Sequence, residues 1–105
     1  MTLQDFIDKL PEKFRPEVVE GMTTNFQFDL SGEGGGQYTV ELIDGELKIH
    51  QGLVGEPKCV VEAKAADFLA VLQGKSNPMM AVLTGKIKIS NQGELLKYAK
   101  VFGLM

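Results

Sequence analysis

The chain has 105 residues, of which 44% are hydrophobic and 24% charged, and its formal net charge is −3. That length suits a single domain, residues 1–105, with one modest core burying roughly two-thirds of the unfolded surface, and the composition is that of a globular protein rather than a disordered one. Lys48, Lys58, Lys64, Lys86 and Lys88 stand singly, so no basic stripe serves nucleic acid, and membrane contact is expected to be at most transient.

Leu3, Phe6, Ile7, Leu10 and Phe14 recur at helical spacing, with Thr2 as N-cap and Asp5 three residues on, the arrangement of a capping box. Pro11 and Pro16 are expected to interrupt the pattern, with Pro16 opening a short turn that carries Val18, Val19 and Met22. From Asn25 to Leu30 apolar residues occupy the even positions, which predicts a half-buried strand. A glycine-rich turn follows, then a strand with Tyr38, Val40 and Leu42 on one face. Asp44-Gly45 is a two-residue hairpin signal, and the third strand carries Leu47 and Ile49 opposite Lys48 and His50. These three strands read as an antiparallel meander.

After a loop from Gly52 to Pro57, a fourth strand has Cys59, Val61 and Ala63 on its inner face. A helix through Ala66–Leu72 stops at Gly74. Asn77-Pro78 starts a second, bearing Met79, Met80, Val82 and Leu83. Lys86 to Ile89 alternates as a short edge strand. The last helix begins near Gly93, with Leu95, Ala99 and Phe102 in helical steps beside Leu96, Tyr98 and Val101. Five strands with every helix on one face of the sheet make an α+β architecture.

Catalytic chemistry finds little support. His50, the single histidine, lies on the solvent side of its strand, and Cys59, the single cysteine, has no basic neighbour to lower its pKa. One Cys and one His exclude zinc of the usual ligand type, and no metal or other cofactor is expected. The acids are dispersed, and the Gly32–Gly36 run joins two strands instead of opening a helix, so it is a turn and no phosphate loop. The first residues lack the pattern of a signal peptide, no apolar run reaches the roughly 20 residues that span a bilayer, and a cytoplasmic location is expected. What remains is the apolar excess of the last thirty or so residues, rich in the adaptable side chain of methionine.

Gly74-Lys75-Ser76-Asn77-Pro78-Met79-Met80-Ala81, followed by Gly85-Lys86-Ile87-Lys88-Ile89, resembles the signature of the type 2 sterol carrier protein family. The Asp44-Gly45 hairpin, Pro57-Lys58-Cys59 before a strand and Asp67-Phe68 at a helix start agree in order and spacing from about Phe26 to Phe102. Ser90-Asn91 stands where members often have Gly-Asn, and the ending Gly103-Leu104-Met105 lacks the tail of peroxisomal members, so peroxisomal import is not expected. The resemblance implies a five-stranded mixed sheet covered on one face by helices, with an apolar tunnel between them. It also implies carriage of a fatty acid, fatty acyl-CoA or sterol-like lipid, with no catalytic residues. By matching position, Phe68, Leu72, Met79, Met80, Leu83, Leu95, Tyr98, Phe102 and Met105 are the expected ligand-binding residues.

An empty apolar cavity of about 300 Å³, at about 24 cal/mol per Å³, would cost about 7 kcal/mol of a total stability of about 5–15 kcal/mol. The tunnel is therefore expected to be filled, or partly collapsed until the C-terminal helix moves aside. A different reading makes that apolar helix a dimerisation or protein-interaction surface, so monomer and dimer both stay open.

Overall fold

The structure, a computed structural model, describes residues 2–102; Met1, Gly103, Leu104 and Met105 lie outside the described residues, as do the side chains of Pro16, Ala99, Lys100 and Phe102. The capping box forms as the sequence predicts. The Asp5 N–H donates to the Thr2 hydroxyl at 3.2 Å, and the Thr2 N–H donates to the Asp5 carboxylate at 2.9 Å. Helix α1 (Leu3–Lys13) buries Leu3, Phe6, Ile7 and Leu10. Pro11 does not interrupt it, contrary to the sequence expectation. The next turn still closes, with the Phe14 N–H on the Leu10 carbonyl at 2.8 Å, because a proline this near the helix end removes only one donor. A single turn, α2 (Pro16–Val19), then buries Val19 completely.

Strands β1 (Thr24–Ser31), β2 (Gly36–Ile43) and β3 (Glu46–Gln51) form the antiparallel meander. Asp44 and Gly45 both hold positive φ, 48° and 82°, between the paired Ile43 and Glu46, as a tight two-residue hairpin requires. In the β1–β2 turn, a Cβ on Gly35 would stand 2.2 Å from the Leu30 carbonyl oxygen, so only glycine fits. Strand β4 (Cys59–Lys64) runs parallel to β1, and β5 (Ile87–Ile89) pairs antiparallel with β4. The sheet is therefore mixed, in the order β3-β2-β1-β4-β5.

Phe26, Phe28, Leu30, Val40, Leu42, Cys59 and Val61 form the buried inner face. Helices α3 (Ala65–Leu72), α4 (Pro78–Leu83) and α5 (Gln92–Phe102) join α1 in covering it. Asn77 caps α4, its side-chain oxygen accepting from the N–H groups of Met79 and Met80 at 2.9 and 3.3 Å.

The opposite face departs from the half-buried expectation for β1. Asn25, Gln27 and Thr39 are buried there, beneath the segment 52–57. Gln27 donates to the carbonyls of Val54 and Gly55, both at 3.2 Å, and Asn25 donates to Val54 at 3.3 Å. The Thr39 hydroxyl donates to the Gly52 carbonyl at 2.8 Å and accepts from the Val54 N–H at 2.9 Å. Polar side chains on the outer pleat thus fasten a strap across the sheet, and the central strand is covered on both sides.

Candidate functional site

The space between inner sheet face and helices is occupied by aromatic rings. Phe6 of α1, Phe28 of β1 and Phe68 of α3 form a triangle with centroid separations of 5.9, 5.3 and 5.7 Å. Phe26 extends it from Phe28 at 6.3 Å to Tyr98 of α5 at 5.4 Å, and Tyr98 stacks on Phe14 at 6.3 Å. Edge-to-face and stacked contacts at these distances are favourable beyond their buried area.

The expected ligand-binding residues fall into groups. Phe68 and Tyr98 lie in the ring core, and Leu72 and Leu95 are half-buried against it. Met79, Met80 and Leu83 share one face of α4 and stand 72%, 55% and 75% exposed, while Ala81 on the same helix is buried. The Phe102 side chain and Met105 lie outside the described residues. On α5, Glu94 and Tyr98 are buried, Leu95 and Val101 are half-buried against the core and Leu96 is exposed, while the side chains of Ala99 and Phe102 lie outside the described residues.

Glu94 is the residue that sequence reasoning missed. Its carboxylate is buried and accepts from the Thr24 hydroxyl of β1 at 2.5 Å, while Lys97 reaches its other oxygen at 3.5 Å. Asn91 caps α5, its side-chain oxygen accepting from the Glu94 N–H at 3.1 Å, and its amide nitrogen donates to the Lys58 carbonyl at 3.2 Å. Burial pushes the Tyr98 hydroxyl above its ordinary range; the nearby Glu94 charge adds to this, and the hydrogen bond with Thr24 opposes it. The Cys59 thiol is likewise raised, first by burial and further by Glu94, against hydrogen bonds from Asn91 and Ser90. A buried thiol of that kind makes a poor nucleophile. The spacing of four residues from Glu94 to Tyr98 puts the two on one side of α5, but the sequence holds no sign that this side is buried.

His50 is half-buried, its Nε2 3.3 Å from Glu41 Oε1 on the neighbouring strand. The fold therefore supplies the carboxylate partner that the sequence could not place. Elsewhere, an open groove of about 640 Å³ at the β4–β5 edge is lined by Asp29, Glu62 and Asp67 with Lys64, Lys86 and Lys88. Its charges balance, and its walls are polar. Among the described residues no group of three or more His, Cys, Asp or Glu could hold a metal ion, and no helix is long and apolar enough to cross a membrane.

Comparison with known proteins gives a consistent result. Hydroxysteroid dehydrogenase-like protein 2 of Xenopus tropicalis is 32% identical over 108 residues, covering 98% of this chain and 25% of its own. The mouse protein of the same name is 38% identical over 74 residues, 70% of this chain and 15% of its own. The chain thus spans a quarter or less of these relatives. Among solved structures, palmitated SCP2L2 from Aedes aegypti superposes with a TM-score of 0.74 at 23% identity, covering 97% of this chain and 95% of that one. The sec-alkylsulfatase Pisa1 from Pseudomonas sp. contains the same fold, with a TM-score of 0.75 at 18% identity over all of this chain and 16% of that one. The model of the SCP-2 sterol transfer family matches residues 3–103, and the chain belongs to that family.

Proposed function

We propose that residues 1–105 act as one lipid-binding domain that holds an apolar ligand between the inner sheet face and helices α3, α4 and α5, and passes it on unchanged. Membership of a sterol transfer family supports lipid binding and transfer in general. The observation that carries the finer reading is the ring-filled, apolar interface between sheet and helices, bordered by a helix that leaves Met79, Met80 and Leu83 in solvent. A ligand chain entering there would exchange ring–ring contacts for ring–chain contacts and cover those three side chains. At about 25 cal/mol per Å² of apolar area, that cover supplies the driving force.

In this reading Phe68, Leu72, Leu95 and Tyr98 form the inner wall and Met79, Met80 and Leu83 the mouth; the Phe102 side chain and Met105, also expected from the sequence, lie outside the described residues. The ligand class is a fatty acid, fatty acyl-CoA or sterol-like lipid; the palmitated relative favours a fatty acid. The domain carries this lipid without transforming it, and the buried free thiol of Cys59 suits the reducing cytoplasm. Native mass spectrometry of gently purified protein should find a lipid of unaltered mass, and palmitate should raise Tm. The absence of both a co-purifying lipid and a thermal shift would refute carriage.

Leu96, 67% exposed on α5, supports a second reading in which that helix joins another copy or a larger chain. Sedimentation separates the two: a ligand-filled monomer supports carriage, and an empty dimer supports association.

A further inference from the structure

Five polar or charged side chains are buried among the described residues, and they divide by face. Asn25, Gln27 and Thr39 lie under the strap on the outer face, where they fasten it to the sheet. Thr24 and Glu94 lie on the inner side, at one end of the ring-filled interior. The inner pleat of β1 runs Thr24, Phe26, Phe28, Leu30, a line of about 20 Å with one polar end. Tyr98 ties that end to the rings, 5.4 Å from Phe26 and one helical turn from Glu94. Burial raises the pKa of Tyr98 and of Cys59, and Glu94 adds to both shifts, so its charge is felt at the edge of the apolar space. A carboxylate has room for about four hydrogen bonds. Among the described residues one side chain donates a hydrogen bond to Glu94, the Thr24 hydroxyl, while Lys97 stands 3.5 Å away with its own side chain 71% exposed. The Asn91 cap and the place in the first turn would suit an acid equally well in solvent. Neither accounts for an acid that is buried here with acceptor positions to spare.

We propose that Glu94, with Thr24 and Tyr98 beside it, determines head-group specificity: it selects an apolar ligand with a neutral hydroxyl head over one with an ionised carboxylate. The hydroxyl donates to a remaining acceptor position of Glu94 in a charge-assisted bond. A carboxylate brought to the same place meets a like charge and has no proton to give. The apolar body of the ligand then lies along Phe26, Phe28 and Phe68 toward α4. The inference deepens the lipid-carriage reading and rests on it. The palmitated relative bears on the chain of the ligand, whereas Glu94 bears on its head. A fatty acid therefore binds, but more weakly than the alcohol of equal length.

Calorimetry at neutral pH compares dodecanol, dodecanoate and dodecyl methyl ether, which share a chain and differ at the head. Wild type should bind dodecanol at least tenfold more tightly than either of the others, since the ether lacks the donor and dodecanoate carries the like charge. Glu94→Gln keeps an acceptor for Thr24 and removes the charge. In that variant the preference for dodecanol over dodecanoate should shrink at least tenfold, and Glu94→Asp should retain part of it. Equal binding of dodecanol and the ether, or of dodecanol and dodecanoate, by wild type overturns the proposal and leaves carriage standing. That comparison needs no variant to fold. An unchanged preference in folded Glu94→Gln likewise overturns it, because the selection would then come from another group. Binding of none of the three defeats carriage, and this inference with it.

Discussion

Glu94 shows how much one buried acid can organise. Its carboxylate joins α5 to β1 through Thr24, and its charge adds to the burial that raises the pKa of both Tyr98 and Cys59. Thr24→Val keeps the shape but removes the short hydrogen bond, and should cost about 1–3 kcal/mol in urea melts, since a buried acceptor loses its donor. Glu94→Gln should cost less, because the amide oxygen still accepts from Thr24. The raised pKa values set a direction for pH dependence. Tyr98 and Cys59 release their protons at higher pH in the folded chain than at their ordinary values of 10.0 and 9.0. The folded chain then holds more protons than the unfolded chain, so their contribution is fully present below about pH 8 and falls as pH rises through that range. The urea midpoint should decline above pH 9 in the wild type, and less steeply in a Tyr98→Phe, Cys59→Ala variant. None of this was legible in sequence, where Thr24 and Glu94 are seventy residues apart and nothing local marks the acid as buried.

At the scale of elements, most of the fold could be read because its signals are local. Alternation gave β1 to β3, Asp44-Gly45 gave the hairpin, and Asn77-Pro78 gave the start of α4, each decided by neighbouring residues. The strap over Asn25, Gln27 and Thr39 was not readable. Its bonds join side chains to backbone groups 13 to 29 residues away, and polar residues on alternate positions look solvent-facing until something covers them. The Asn77 cap offers a test at this scale. Asn77→Ala removes the acceptor for the Met79 and Met80 N–H groups and should cost about 1 kcal/mol. Hydrogen exchange should quicken at those two amides, with β1 and β4 unchanged and Asn77→Asp close to wild type. Quickened exchange in β1 and β4 of Asn77→Ala would instead mean that α4 is integral to the core.

For the whole molecule, the question is how 105 residues can hold a lipid. The energetic argument against a large empty tunnel is met here by rings: Phe6, Phe28 and Phe68 pack the interior that a ligand would need. On the carriage reading Phe68 is then both core and plug, and substitutions separate those roles. Phe68→Ala should cost about 3–5 kcal/mol, a large part of the stability of such a domain. The milder Phe68→Leu keeps most of the burial and frees part of the ring's volume. With palmitate in excess, the increase in Tm should be larger for Phe68→Leu than for wild type, because the ligand displaces less protein to enter and gains the freed volume. A smaller increase in the variant would assign Phe68 to a wall that grips the ligand, and the space would have to open elsewhere, between α4 and α5.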